Sequence, residues 1–171
     1  NVTGVTSMYQ AFKDKTTFDD NISGWDVSNV TNMGSMFDGA SSFNQPLSDW
    51  NTSSVTSMSH MFRNASNFNQ PIGNWDTSSV TTMWVMFQHA NSFNQPIGNW
   101  NVSSAHTLHS TFKNASSFNQ PIGDWNVSSV TNMEGMFANT PFNQAIGDWD
   151  ISSVTKTDWM FSDATAFNQG L

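Results

Sequence analysis

The apolar positions of this chain recur in one spacing from end to end. From Ile22 they run Ile22, Trp25, Val27, Val30, Met33, Met36, Phe37, Ala40 and Phe43, and the same text returns about 25 residues later. Trp25, Trp50, Trp75, Trp100, Trp125 and Trp149 mark the period, which is one residue shorter only before Trp149, around Thr140 and Pro141. Such a period is the signature of a repeat architecture, in which one unit has no interior of its own and stacking creates one. Seven repeats fill the chain, at approximately 1–24, 25–49, 50–74, 75–99, 100–124, 125–148 and 149–171, as a single domain.

Within a unit, Trp25-Asp26-Val27 alternates in, out, in, which predicts a short strand. The spacing Val30, Met33, Met36, Phe37, Ala40 predicts an amphipathic helix of two turns, with Thr31 or Ser28-Asn29 as N-cap and Gly39 as stop. Phe43 to Leu47 reads as extended, with Pro46 fixing the turn. The expected fold is therefore an α/β repeat: a right-handed, leucine-rich-repeat-like solenoid of about seven 25-residue coils, short parallel strands on one face and short helices on the other.

Columns that stay fixed point inward. Phe12 through Phe161 and Phe18 through Phe167 are invariant across the repeats and should form two aromatic spines. Asn44, Asn69, Asn94, Asn119, Asn143 and Asn168 recur beside the second spine. A buried amide is costly unless satisfied, so these should form an asparagine ladder that bonds backbone of their own and the next coil. The Thr6 to Thr155 column, broken only by His106, suits capping better than a flat ice-binding face.

Composition then narrows the function. With 13 Asp and Glu against 5 Lys and Arg the formal charge is -8, so nucleic acid and anionic membrane surfaces are poor partners. Charged residues make up only 11%, which fits a stack: a charge repeated in one column repels itself, whereas Asn, Ser and Thr do not. Cysteine is absent, so disulfides and thiolate chemistry are excluded. No apolar run is long enough to insert in a membrane. No nucleophile elbow, H-E-x-x-H helix or phosphate loop occurs, and the expectation is that the protein is not an enzyme.

Candidate contacts lie in the columns that vary or face out. Tyr9, Trp84 and His109 share one varying column and Trp159 stands in the next; solvent-facing aromatics beside amides suit protein or glycan contact. Asp26, Asp76 and Asp150 share the outward column with Asn1, Asn51, Asn101 and Asn126, and neighbouring coils there could offer oxygens to calcium, the only cofactor considered. His89, His106 and His109 cluster too, but without a third ligand at fixed spacing they assign no metal.

The string Trp-Asp-Val-Ser-x-Val-Thr-x-Met-x-x-Met-Phe-x-x-Ala-x-x-Phe-Asn-Gln-Pro-Ile-Gly-x-Trp, legible from Trp25 to Trp50 and again from Trp125, resembles the bacterial surface protein repeat of BspA-like leucine-rich-repeat proteins. That resemblance implies a solenoid on large secreted or wall-attached proteins involved in adhesion, and supplies no catalytic residues. It places the chain outside the cell or on its surface as a non-enzymatic segment for adhesion, protein interaction or spacing. The alternative is a carbohydrate- or calcium-binding module. A chain opening at Asn1 without Met reads as a piece of a larger surface protein, and bare terminal coils suggest end-to-end or lateral self-association. The first repeat departs from the string at Ala11, Asp19, Asp20 and Asn21, the fourth at Ala105, His106 and Thr111.

Overall fold

The structure, a computed structural model, describes residues 2–171; Asn1, placed by sequence in the outward column, lies outside the described residues. The chain winds as seven coils that stack in register, so that backbone hydrogen bonds join residues 23 to 26 positions apart along the whole length. Buried residues from Met8 to Trp149 form one continuous core.

The coil wall is neither helix nor sheet, and this corrects the α/β expectation. Among the described residues there is no α-helix, and the only strand-like features are single-residue parallel bridges in one column, from Ser7 with Asn32 to Asn132 with Lys156. The architecture is thus not a leucine-rich-repeat solenoid with strands on one face and helices on the other. Among the described residues no helix is long and apolar enough to cross a membrane.

The segment predicted as helix is a ribbon of successive turns. Met36 N–H donates to Met33 O, Asp38 to Ser35 O and Ala40 to Phe37 O, each three residues back. The intervening N–H groups leave the coil: Met33, Ser35, Phe37 and Gly39 donate to Ser57, Ser59, Met61 and Arg63 O of the next coil at 2.8–3.0 Å. An α-helix would send all of these four residues back along its own chain. A run of three-residue turns places side chains at the same i, i+3 spacing as a helix, which is why the apolar pattern alone does not separate the two.

Two left-handed residues per coil set the ribbon. Ser35 and Gly39 have φ of 55° and 75°, and the equivalents recur in every coil, from Gln10 and Asp14 to Trp159 and Asp163. The second of these columns reads Asp14, Gly39, Asn64, His89, Asn114, Asn139, Asp163, mostly types that tolerate positive φ. The first is less accommodating: Val85 sits there at φ 61°, a β-branched residue in strained backbone.

Trp25-Asp26-Val27, predicted as strand, alternates in burial without pairing to its neighbours through a backbone ladder. Trp50 and Thr52 are buried while Asn51 between them is exposed. Side chains join the coils here instead. The Trp50, Trp75, Trp100, Trp125 and Trp149 indole N–H groups donate to Ile22, Leu47, Ile72, Ile97 and Ile122 O of the preceding coil. Thr52 and Thr77 hydroxyls donate to Asp76 and Asn101 O of the following one.

Inside, the phenylalanine spines stack face to face. Phe37 and Phe43 of one coil lie 4.0 Å apart, and Phe37 meets Phe62 of the next at 5.5 Å with 8° between planes. Such contacts contribute about 0.5–1.5 kcal/mol per pair beyond burial itself. Gly73, Gly98 and Gly123 mark where the coils approach most closely: a Cβ on Gly98 would stand 2.7 Å from Pro121 O. The sixth coil turns its corner between Phe137 and Phe142 in one residue fewer. Thr140 closes it with both N–H and hydroxyl on Phe137 O, and Phe142 still stacks on Phe118 at 6.2 Å.

Candidate functional site

The asparagine column makes an unbroken chain of bonds. Asn69 N–H donates to Asn44 Oδ1 at 2.9 Å, Asn94 to Asn69 and Asn119 to Asn94 at 3.0 Å, Asn143 to Asn119 at 2.9 Å and Asn168 to Asn143 at 3.1 Å. Asp19 takes the first rung, its carboxylate accepting Asn44 N–H at 2.8 Å. A second ladder, not foreseen from sequence, runs beside it. Gln70, Gln95, Gln120, Gln144 and Gln169 each donate Nε2 to the Asn of the preceding coil. These amides are structural: the asparagine oxygens and glutamine Nε2 groups tie half-buried backbone and side chains of adjacent coils together.

The outward aspartates are engaged locally. Ser28 N–H and hydroxyl both donate to Asp26 Oδ1, at 3.1 and 2.6 Å. Asp76 accepts both groups of Ser78 in the same way, and Asp150 the N–H of Ser152. The serine hydroxyl bond, reinforced by the serine N–H, lowers the Asp26 and Asp76 carboxyls from their ordinary value, and Ser152 lowers that of Asp150. Asn51, Asn101 and Asn126 make the same turn with their amide oxygens. Each of these side chains therefore serves its own coil. No group of three or more His, Asp or Glu among the described residues is placed to hold a metal ion.

The predicted threonine caps have no helix to cap. Thr31, Thr56, Thr81, Thr131 and Thr155 hydroxyls instead donate to the carbonyl one coil back, at 3.1–3.2 Å. His89 pairs with Asn114 Nδ2, away from His109.

What the fold does bring together is a groove along the turn ribbon. Trp84 is 45% exposed, whereas Trp50 through Trp149 of the core column are 3–8% exposed. Its ring meets His60 edge-on at 4.8 Å and faces His109 at 6.1 Å. A hollow of about 370 Å³ lies on one side, lined by Tyr9, Lys13, His60, Arg63 and Trp84 among others. A second of about 350 Å³ lies on the other, reaching Lys113, His109, Glu134 and Trp159. Trp84, His60 and Arg63 line both, so the two form one groove. Tyr9, Trp84, His109 and Trp159, scattered in sequence, thus share a surface. Asp26, Asp76 and Asp150 line neither hollow.

The floor of the groove is fixed by an ion pair. Arg63 Nε and Nη2 donate to Asp38 Oδ1 and Oδ2 at 2.8 and 2.7 Å, with Asp38 1% exposed. Such a bidentate fork anchors both planes. Asp38 raises the Arg63 pKa through this bond. Burial, then the Arg63 charge, pushes the His60 imidazole below its ordinary value. His109 Nδ1 is buried without a hydrogen-bond partner, 3.7 Å from Glu134. His60, Arg63, Lys13 and Lys113 were not singled out from sequence. Writing the column Lys13, Asp38, Arg63, Gln88, Lys113 would have exposed its alternating charge.

A family described as Mycoplasma protein of unknown function, DUF285, matches residues 1–96 and again 69–171. The chain belongs to this family. Two overlapping matches are what a repeat in continuous phase produces, and between them they span the chain. No curated protein matches it. The DUF285 assignment establishes an uncharacterised repeat family; the leucine-rich-repeat fold implied by the BspA-like resemblance is not the one these coils adopt.

Proposed function

We propose that this chain is a non-enzymatic repeat segment that engages a protein or glycan at a cell surface through the groove centred on Trp84. The observation that carries the reading is the exposure of Trp84 between two histidines, in a protein that buries the Trp column from Trp50 to Trp149. Nothing in the coil stack needs an indole at that position: Gly34, Ser59 and Glu134 occupy the same column in other coils. Exposed aromatics flanked by Arg and amides are typical anchors of recognition surfaces. Ser110 Oγ lies 3.5 Å from His109 Nε2 and Glu134 Oε2 3.7 Å from His109 Nδ1, contacts longer than the hydrogen bonds that activate a nucleophile, which supports binding over turnover.

The test is a binding screen against immobilised glycans and surface proteins with wild type and Trp84→Ala. Loss of binding with an unchanged melting temperature supports the proposal. A chain that binds nothing on either array is a spacer, and that result overturns it. The extracellular or surface location belongs to the same proposal and is checked by protease accessibility on intact cells.

A further inference from the structure

Charge is unevenly distributed over this acidic protein. The groove is lined by Lys13, Arg63 and Lys113, three of the chain's 5 Lys and Arg, and by only two carboxylates, Asp38 and Glu134. Its formal charge is therefore +1, while the remaining 2 cations and 11 carboxylates leave the rest of the chain at -9. Asp38 is buried and paired with Arg63, so the two charges cancel and the unpaired cations the groove presents are Lys13 and Lys113. His60 and His109 flank Trp84 and are neutral in this count.

The spacing is regular as well. Lys13, Arg63 and Lys113 stand in one column in the first, third and fifth coils, two coil spacings apart, or roughly 10 Å at the usual inter-strand distance. Trp84 lies in the fourth coil, between Arg63 and Lys113. Amides and hydroxyls fill the gaps: Gln10, Asn32, Ser57, Ser59 and Gln88. Beyond Lys113 the groove turns acidic at Glu134.

We infer that the groove binds an acidic polysaccharide, an extended sugar chain bearing carboxylate or sulfate groups; this rests on the binding role proposed above and names its ligand class. Anionic groups spaced along the chain meet Lys13 and Lys113, with the solvent-facing side of the paired Arg63 guanidinium between them; ring faces lie on Trp84, and hydroxyls meet the amides and serines. A nucleic acid duplex is wider than a single sugar chain and cannot keep to the groove, so it would also meet the remainder of the chain, which carries a formal -9. An acidic peptide would satisfy the cations but leave the hydroxyl-matching floor unused.

The experiment titrates the 171-residue chain with four probes of similar length: a heparin oligosaccharide, a hyaluronan oligosaccharide, neutral dextran and polyglutamate. Heparin or hyaluronan should bind and dextran should not, and the tighter of the two identifies sulfate or carboxylate as the preferred anion. Lys13→Gln with Lys113→Gln should weaken that binding about tenfold or more together, with no change in melting temperature, and raising salt should weaken it further. Trp84→Ala should also weaken it. Equal binding of dextran would show that rings and not charge are read, leaving a glycan role but overturning this inference. Polyglutamate bound as tightly as either acidic sugar would overturn it in favour of a protein partner. No binding of any probe, or binding indifferent to the lysines, overturns it as well.

Discussion

Replacing Asn94 by Leu removes one rung from the middle of the amide ladder and tests what holds the coils in register. Asn94 Oδ1 accepts two bonds, from Asn119 N–H and Gln120 Nε2, both at 3.0 Å. Gln120 keeps a second acceptor in Asn94 O, so its loss is partial. Asn119 N–H has no other acceptor and is left without one in a half-buried position. The lost bonds amount to about 1–2 kcal/mol and the orphaned donor to about 1 more, less what leucine regains by burial, for a net destabilisation of about 1.5–3 kcal/mol. In a domain of this size that lowers the melting temperature by about 5–10 °C. Asn94→Asp keeps the acceptor, as Asp19 does at the first rung, and should cost under about 1 kcal/mol. Asn168→Leu removes an oxygen that takes a bond only from the adjacent Gln169, and should cost under about 0.5 kcal/mol. Calorimetry and urea unfolding followed by tryptophan fluorescence measure all three. An N94L chain as stable as wild type, or an N94D chain as damaged as N94L, would show that the oxygen acceptor is not what the position supplies.

Four further outcomes follow from the packing and charges. Gly98→Ala should cost about 1–3 kcal/mol, because its Cβ meets the backbone oxygen of Pro121 at 2.7 Å, while Gly24→Ala, with nothing within 4 Å, should be neutral or slightly stabilising; Ser48, in the Gly98 column, shows that coils can part locally, which keeps the first cost finite. Arg63→Met should cost about 3 kcal/mol in denaturant unfolding by leaving Asp38 buried and unpaired, and adding Asp38→Asn should recover part of it. His60 has its folded pKa depressed, so the unfolded chain binds more protons below about pH 6.5 and stability falls on acidification through that range; His60→Asn, which suits the φ of 59°, should flatten the melting temperature between pH 7.5 and 5. The same sign applies to Asp26, Asp76 and Asp150, whose lowered values add stability that is present above about pH 4 and lost below it.

Repetition and burial were legible in the amino acids, because a column of Phe or Trp recurring every 25 residues has one explanation, contact between neighbouring units. Local conformation was not. Val30, Met33, Met36, Phe37 and Ala40 fit a helix and a turn ribbon equally well, and the difference lies in where alternate N–H groups go, which the side chains do not encode. A hint stood in the Asp14, Gly39, Asn64 column, whose residue types favour positive φ; it was expected to end a helix, whereas it shapes a turn in every coil. For the groove, Trp84 and Tyr9 stood out as apolar residues in a varying column. The cations beside them did not, because Lys13, Arg63 and Lys113 are ordinary singly and gain meaning only when two coils of separation bring them into one line.

The shortened corner between Phe137 and Phe142 carries a practical consequence. Deleting a residue there leaves the next rung, Asn143 on Asn119 at 2.9 Å, indistinguishable from its neighbours, so the perimeter of a coil is free to change at this point without disturbing alignment above or below. Foreign loops grafted at Ser41-Ser42, Ser66-Asn67 or Asn91-Ser92 would occupy the equivalent corner in successive coils. They would emerge as a row of evenly pitched projections along one side, making the chain a scaffold for displaying several epitopes at a fixed interval.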